Sequence, residues 1–161
     1  MRAKQIKAQQ RDCVIASPLG KLGLTITNNK LAKVQFLPSD THLLAAQNSI
    51  ARQTAIKIKK YFCNPKLQFK LPIQIKGTPL QQKIWQILQK IPCGKTVTYG
   101  ELAQKIGTSP RVIGNACRRN PIPIVIPCHR VVAAKGFGGY CGESCNDFLK
   151  MKKWLLMHEC T

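Results

Sequence analysis

Gly77-Thr78-Pro79-Leu80-Gln81-Gln82-Lys83-Ile84-Trp85 is where this 161-residue chain changes character. Thr78 suits a helix N-cap, because its hydroxyl can accept from an unpaired N–H of the first turn. Pro79 fits the first helical position, where no N–H is needed. Gln81 completes a capping box. Leu80, Ile84, Ile87, Leu88 and Ile91 then recur at helical spacing, and Pro92 and Gly94 end the stripe. A boundary near residue 76 therefore divides an α/β part, residues 1–76, from a mainly helical part, residues 77–161.

Upstream, residues 12–37 read as an antiparallel meander. Cys13-Val14-Ile15-Ala16 leads into the turn Ser17-Pro18-Leu19-Gly20, and Leu22, Leu24 and Ile26 alternate with smaller or polar residues. Asn28-Asn29-Lys30 turns the chain into a third strand, Leu31 to Phe36. Residues 41–63 carry a helical pattern, with Leu44, Ala51, Ala55, Ile58 and Phe62 near one face. Leu67, Phe69, Leu71, Ile73 and Ile75 alternate as in a strand, and Pro72 places that strand at a sheet edge or a bulge.

Downstream, two short helices are expected. The first spans Tyr99 to Ile106 and breaks at Gly107. Ser109-Pro110 starts the second, which runs from Arg111 to about Arg119, with Val112, Ile113 and Ala116 inward and Arg111, Asn115, Arg118 and Arg119 outward. Two such helices joined at a glycine turn, the second rich in Arg and Asn, form a helix-turn-helix candidate.

Ile126-Pro127-Cys128-His129-Arg130-Val131 carries the chemistry. A thiol is a strong nucleophile as its thiolate, and a neighbouring base raises that fraction. On an extended strand Cys128 and His129 would face opposite ways, so they meet only if the backbone turns or a water bridges them. The competing reading is a buried structural cysteine beside an exposed histidine.

Lys and Arg number 26 against 6 acids, giving +20, which favours a polyanionic partner: nucleic acid or an anionic membrane surface. No apolar run approaches the ~20 residues of a membrane span. Met1-Arg2-Ala3-Lys4-Gln5-Ile6-Lys7 lacks the apolar segment of a secretory signal, so a cytoplasmic location is expected. The eight cysteines should then be mostly thiols. Cys141, Cys145, His158 and Cys160 have a partly zinc-like spacing, but the last pair is too close for a zinc finger, and no metal site is assigned. No glycine-rich phosphate loop occurs, so no nucleotide cofactor is implied.

Together these residues resemble the O6-alkylguanine-DNA alkyltransferases. The matching elements are Gly77 to Trp85, Ile91-Pro92-Cys93-Gly94-Lys95-Thr96, Tyr99 with Leu102-Ala103, Arg111-Val112-Ile113-Gly114 and Asn120-Pro121. They continue with Pro127-Cys128-His129-Arg130-Val131, Gly138-Gly139-Tyr140, Trp154-Leu155-Leu156 and His158-Glu159. The N-terminal part matches more loosely, through Ser17-Pro18-Leu19-Gly20 and Tyr61-Phe62. The resemblance implies a ribonuclease H-like α/β domain followed by a helical domain with a helix-turn-helix. It implies irreversible transfer of an alkyl group from O6-alkylguanine in double-stranded DNA to the protein's own cysteine. A monomer is implied, without metal, cofactor, membrane or protein partner.

By the same resemblance Cys128 is nucleophile and acceptor. His129 deprotonates it through a water, and Glu159 holds the imidazole. Tyr99 donates at the leaving guanine, and Asn120 braces the turn before the active strand. Arg111 takes the flipped base's place, with Asn115, Arg118 and Arg119 on the DNA-facing helix. Tyr140 and the backbone at Cys141 line the pocket near O6, the Val131 carbonyl reads the exocyclic amine, and Lys152 lies near the site. The chain departs from the family pattern in a shorter turn before Arg111, a shorter loop from Cys128 to Tyr140, Glu143 in place of a glycine, and an insertion before Lys152.

Three rival functions are a non-catalytic alkyltransferase-like DNA-damage-binding protein, a cysteine hydrolase and a transcription factor. The first lacks the acceptor cysteine, which is present here. The second seldom takes its base from the adjacent residue. The third requires a further module for which the chain is short.

Overall fold

The computed structural model describes residues 10–139 and 146–161. Three antiparallel strands open the fold: β1 (Cys13–Ser17), β2 (Gly20–Thr27) and β3 (Lys30–Leu37), in the order β1-β2-β3. Asn28 and Asn29 both hold positive φ, 51° and 58°, at the two-residue turn between Thr27 and Lys30. That is the left-handed conformation whose twist matches a hairpin, and asparagine tolerates it. Leu22, Leu24, Leu31 and Val34 point into the core.

Helix α1 (Ser49–Cys63) covers this sheet. It starts later than the apolar spacing predicts. Asn48 caps it by accepting from the Ala51 N–H at 2.8 Å, and donates to Asp12 Oδ1 at 3.0 Å. Upstream of that cap the chain is not helical, and Leu44 pairs with Val14 through both backbone bonds. A satisfied cap and a strand partner outweigh one apolar residue at helical spacing. The inward face also differs: Tyr61 is fully buried while Phe62 is half-buried.

The expected strand over 67–75 is reduced to a single bridge, Leu31 to Ile73. Leu31 N–H donates to Pro72 O at 2.8 Å, and Gln74 N–H donates to Leu31 O at 2.9 Å. Pro72 has no N–H to extend the ladder. Its neighbours Leu71, Ile73 and Ile75 still pack against the core as an extended edge.

Helix α2 (Pro79–Leu88) begins at Thr78 with both bonds of the capping box. It ends at Leu88, ahead of Pro92, because Gln89, Lys90 and Ile91 close short backbone turns. Its Trp85 is buried, and the indole N–H donates to Ala116 O at 2.9 Å. A short strand β4 (Val97–Thr98) precedes α3 (Tyr99–Ile106), which ends at Gly107 with φ 79°. Ser109 caps α4 (Pro110–Arg118). The chain then passes through a single turn of 3-10 helix (Cys128–Arg130), strand β5 (Val131–Val132) and helix α5 (Asn146–Glu159). One apolar cluster runs from Cys13 on β1 to Leu155 on α5.

Thr78→Ala is expected to destabilise the protein by about 1 kcal/mol, the usual worth of a lost N-cap. Urea denaturation should show a lower midpoint at unchanged slope. An unchanged midpoint would mean that packing alone holds the start of α2.

Candidate active site

The wall behind Cys128 is built first. Residues 122–127 are all buried. Ile124 sits at φ 75°, a left-handed backbone that β-branched residues rarely adopt. Asn120 spans the turn that contains it: its Oδ1 accepts from Ile122 N–H at 2.9 Å, and its Nδ2 donates to Ile126 O at 2.8 Å. Ile126 N–H also donates to Ile122 O at 2.9 Å. Three bonds across one tight turn hold a conformation that Ile124 alone disfavours.

The backbone then turns between Cys128 and His129. Cys128 N–H donates to Ile126 O at 2.8 Å, and Arg130 N–H donates to Pro127 O at 3.0 Å. An extended strand would have separated the two side chains, whereas the 3-10 turn buries both. His129 is 0% exposed, which removes the reading of an exposed histidine beside a structural cysteine.

His129 Nε2 lies 2.8 Å from Glu159 Oε1. The same carboxylate accepts from Tyr61 OH at 2.7 Å, Arg130 Nε at 2.8 Å and Arg130 Nη2 at 2.9 Å. Arg130 Nη1 donates to Ile91 O at 2.5 Å. Burial pushes the Glu159 carboxyl up, but the hydrogen bonds from His129, Arg130 and Tyr61 outweigh it and hold the group well below the usual carboxylate range. Glu159 is therefore ionised and accepts, so His129 Nε2 carries the proton. Burial, partly opposed by Glu159, depresses the His129 pKa and keeps the imidazole neutral. Nδ1 then presents a lone pair, and it has no hydrogen-bond partner among the described residues.

Burial raises the Cys128 thiol, against the opposing effects of an Asn120 hydrogen bond and the Lys152 ammonium. The resting pair is thus a thiol and a neutral imidazole. Tyr99 heads α3 directly after β4, and β4 pairs in parallel with β5 just past Arg130, matching Val97 with Val131. Burial, with Cys117 and Cys128 adding to it, raises the Tyr99 phenol above its usual range, so it is protonated at neutral pH.

Helix α5 turns Lys152, Leu155 and Glu159 inward. Lys152 Nζ donates to Val131 O at 2.6 Å and to Gly139 O at 2.9 Å, and sits 5.6 Å from the Tyr99 ring centroid. On α4, Arg111, Asn115 and Arg118 are exposed, as is Arg119 at its C-cap, opposite buried Ile113, Ala116 and Cys117. Tyr140 and Cys141 lie outside the described residues.

Two members of the network escape sequence reasoning. Arg130 lies inside the reactive motif, and its only signal is its position beside a candidate base. Tyr61 lies on the buried face of α1 with Ala51, Thr54, Ala55 and Ile58, and although Tyr61-Phe62 matches the family loosely, nothing in the sequence assigns its hydroxyl to Glu159.

Residues 79–161 match the family described as 6-O-methylguanine DNA methyltransferase, DNA binding domain. The chain belongs to this family. A probable methylated-DNA–protein-cysteine methyltransferase of Acanthamoeba polyphaga mimivirus is 38% identical over 136 residues, covering 83% of this chain and 84% of that protein. A methylated-DNA–protein-cysteine methyltransferase of Mycobacterium bovis is 35% identical over 136 residues, covering 80% and 82%. Among solved structures, Mycobacterium tuberculosis OGT in complex with DNA is similar at TM-score 0.74 and 32% identity, covering 91% of this chain and 90% of that one. All of the candidate residues from Tyr99 to Glu159 fall within the matched segment. No helix among the described residues is long and apolar enough to cross a membrane.

Proposed function

We propose that this methyltransferase-family chain repairs DNA by taking the alkyl group of O6-alkylguanine onto Sγ of Cys128, once and irreversibly. The observation that carries this reading is the 2.8 Å bond between His129 Nε2 and Glu159, which leaves Nδ1 without a partner among the described residues on the residue next to the buried Cys128. The thiol proton passes through a water to Nδ1. The S–C bond forms as the C–O6 bond breaks, and the guanine leaves with a proton or hydrogen bond from Tyr99. Glu159 stabilises the imidazolium that results, as in nucleophile–base–orienter triads. The step is redox-neutral and the substrate brings the transferred group, so no cofactor is required.

Asn120 braces the nucleophile's turn, and Lys152 holds the Val131 carbonyl at the pocket wall. That carbonyl has a second lone pair with which to read the exocyclic amine. Tyr140 and Cys141 complete the pocket near O6. O6 is hidden in the stack, so the nucleotide must be flipped out. The α3–α4 pair acts as a helix-turn-helix, with Asn115, Arg118 and Arg119 on DNA. Residues 1–76 form a ribonuclease H-like domain and residues 77–161 the transfer domain. The protein acts in the cytoplasm as a monomer on duplex DNA.

Intact mass after incubation with O6-methylguanine duplex tests the reading. A gain of one methyl group, on Cys128, is expected. An unchanged mass would favour an alkyltransferase-like binder instead.

Arg111, in the first exposed turn of α4, fills the space of the flipped base. Unstacking costs a few kcal/mol, which an inserted side chain offsets in part. Arg111→Ala should slow transfer from saturating duplex by roughly tenfold or more, since about 1.4 kcal/mol is a factor of ten. Reaction with free O6-methylguanine base should be unchanged. Equal duplex rates in single-turnover assays would reduce Arg111 to a phosphate contact.

A further inference from the structure

Between Asp40 and Glu101 the chain carries ten Lys and Arg residues and no acid. The fold gathers part of this charge into a cleft of about 580 Å³, separate from α4. Lys66 and Lys70 come from the segment after α1, Lys90 from the end of α2, and Arg130 from the 3-10 turn. The floor is the back of the Ile124–Pro127 wall. Lys57 Nζ donates to the Lys70 carbonyl and fixes the backbone on one side. Arg130 is already paired with Glu159 through Nε and Nη2, so the unneutralised charge at the cleft is that of the three lysines. Burial and the Glu159 charge raise the Cys93 thiol on the cleft wall, with Arg130 and Lys66 acting against them, so this side of the cleft is the less cationic one and the positive charge lies with the lysines.

From this convergence of lysines, with no acid among the described residues that line it, we infer that the cleft edged by Lys66, Lys70 and Lys90 binds the phosphodiester backbone of DNA as a second contact surface, separate from α4. Like charges gathered at one place repel each other, and a polyanion relieves that repulsion by releasing its counter-ions. No residue of α4 lines the cleft, so the phosphates it holds belong to a different stretch of backbone from those that α4 touches. Arg130 lies between the cleft and the buried carboxylate, since it lines the cleft and also holds Glu159.

The inference rests on the DNA-repair reading, and its test is separable from it. The variant is the triple Lys66→Gln, Lys70→Gln, Lys90→Gln, which leaves Arg130 and the transfer residues intact. Binding to unmodified duplex is measured as a function of salt. Each phosphate that is no longer neutralised should make the log–log slope shallower by about 0.9, so the slope of the triple should be shallower by roughly 2 to 3. A control of equal charge change, Lys21→Gln, Lys30→Gln, Lys33→Gln, should keep the wild-type slope. Transfer from free O6-methylguanine base should be the same in all three proteins, showing that the fold and the site are intact. An unchanged slope in the cleft variant, or an equal change in the control, overturns the inference. So does a cleft that protects Lys66 from acetylation with pyrophosphate but not with duplex, which would make it a site for free anions. If wild type fails to react with the free base and with alkylated duplex, the repair reading fails while the slopes still report on the cleft.

Discussion

Replacing Cys128 with alanine is expected to abolish alkyl transfer completely and to leave duplex binding close to wild type. The acceptor atom is removed, and no other group can take its place in the geometry. The side chain is 2% exposed and faces the interior, whereas the exposed cations of α4 lie on another face. The substitution is small and apolar, so the fold should lose on the order of 1 kcal/mol. Two measurements check this: intact mass after incubation with alkylated duplex, and a binding titration on the same duplex. Neighbouring Cys117 supplies the critical alternative. It is buried on α4, where burial pushes its thiol far up, with the Cys128 charge adding. That makes it a poor nucleophile. A mass gain on Cys117 or any other cysteine in the variant would refute the assignment of Cys128 as acceptor.

Glu159→Gln should be nearly as severe, and it should act on stability as well as chemistry. The carboxylate receives bonds from His129, Arg130 and Tyr61, and its side chain is 1% exposed. Glutamine keeps the shape but removes the charge, and its amide turns a donor towards other donors. The Arg130 side chain, 12% exposed, would then lack its counter-ion. Breaking one side of a buried ion pair costs about 3–5 kcal/mol. That is a large part of the roughly 5–15 kcal/mol that holds a typical domain. Transfer should fall by roughly 10² or more, because the imidazole loses its orienter and the imidazolium its partner. If the variant unfolds, Tyr61→Phe offers a milder test. It removes one donor from Glu159, and a loss of about 1–2 kcal/mol is expected.

The pH dependence of stability carries the same signature. Glu159 is held below its ordinary value in the folded state. Its contribution is therefore fully present above the unfolded carboxyl pKa of about 4.3. Below that it is lost progressively as pH falls to the lower folded value. Wild type should lose stability steeply on acidification through this window, and Glu159→Gln should show a shallower acid limb. Equally steep limbs in urea titrations would mean that Glu159 is not the group responsible.

Local signals are legible where the cause is local. The capping box at Thr78, the break at Gly107 and the Ser109-Pro110 start each depend on residues within one turn, so the sequence specifies them. The meander is legible for the same reason, because period-two alternation and the Asn28-Asn29 turn lie side by side in the chain. Periodicity misplaces the start of α1, because Leu44 finds a strand partner in distant Val14. It also overstates the edge segment around Ile73, because alternation reports burial and says nothing of how many ladder bonds the neighbouring strand can offer.

By itself the sequence determined the capped starts of α2 and α4, the turn residues and the choice of Cys128 as the candidate nucleophile. Only the tertiary structure decided what surrounds that cysteine. Tyr61, Arg130 and Glu159 are far apart along the chain, and they meet on one carboxylate because α1 and α5 pack beside the 3-10 turn. The inward placement of Lys152 and Glu159 on α5 is likewise invisible to amphipathic reasoning, which assigns charged residues to solvent. A buried charge is tolerated only when its partners arrive from elsewhere in the fold, and those partners have no local signature in the chain.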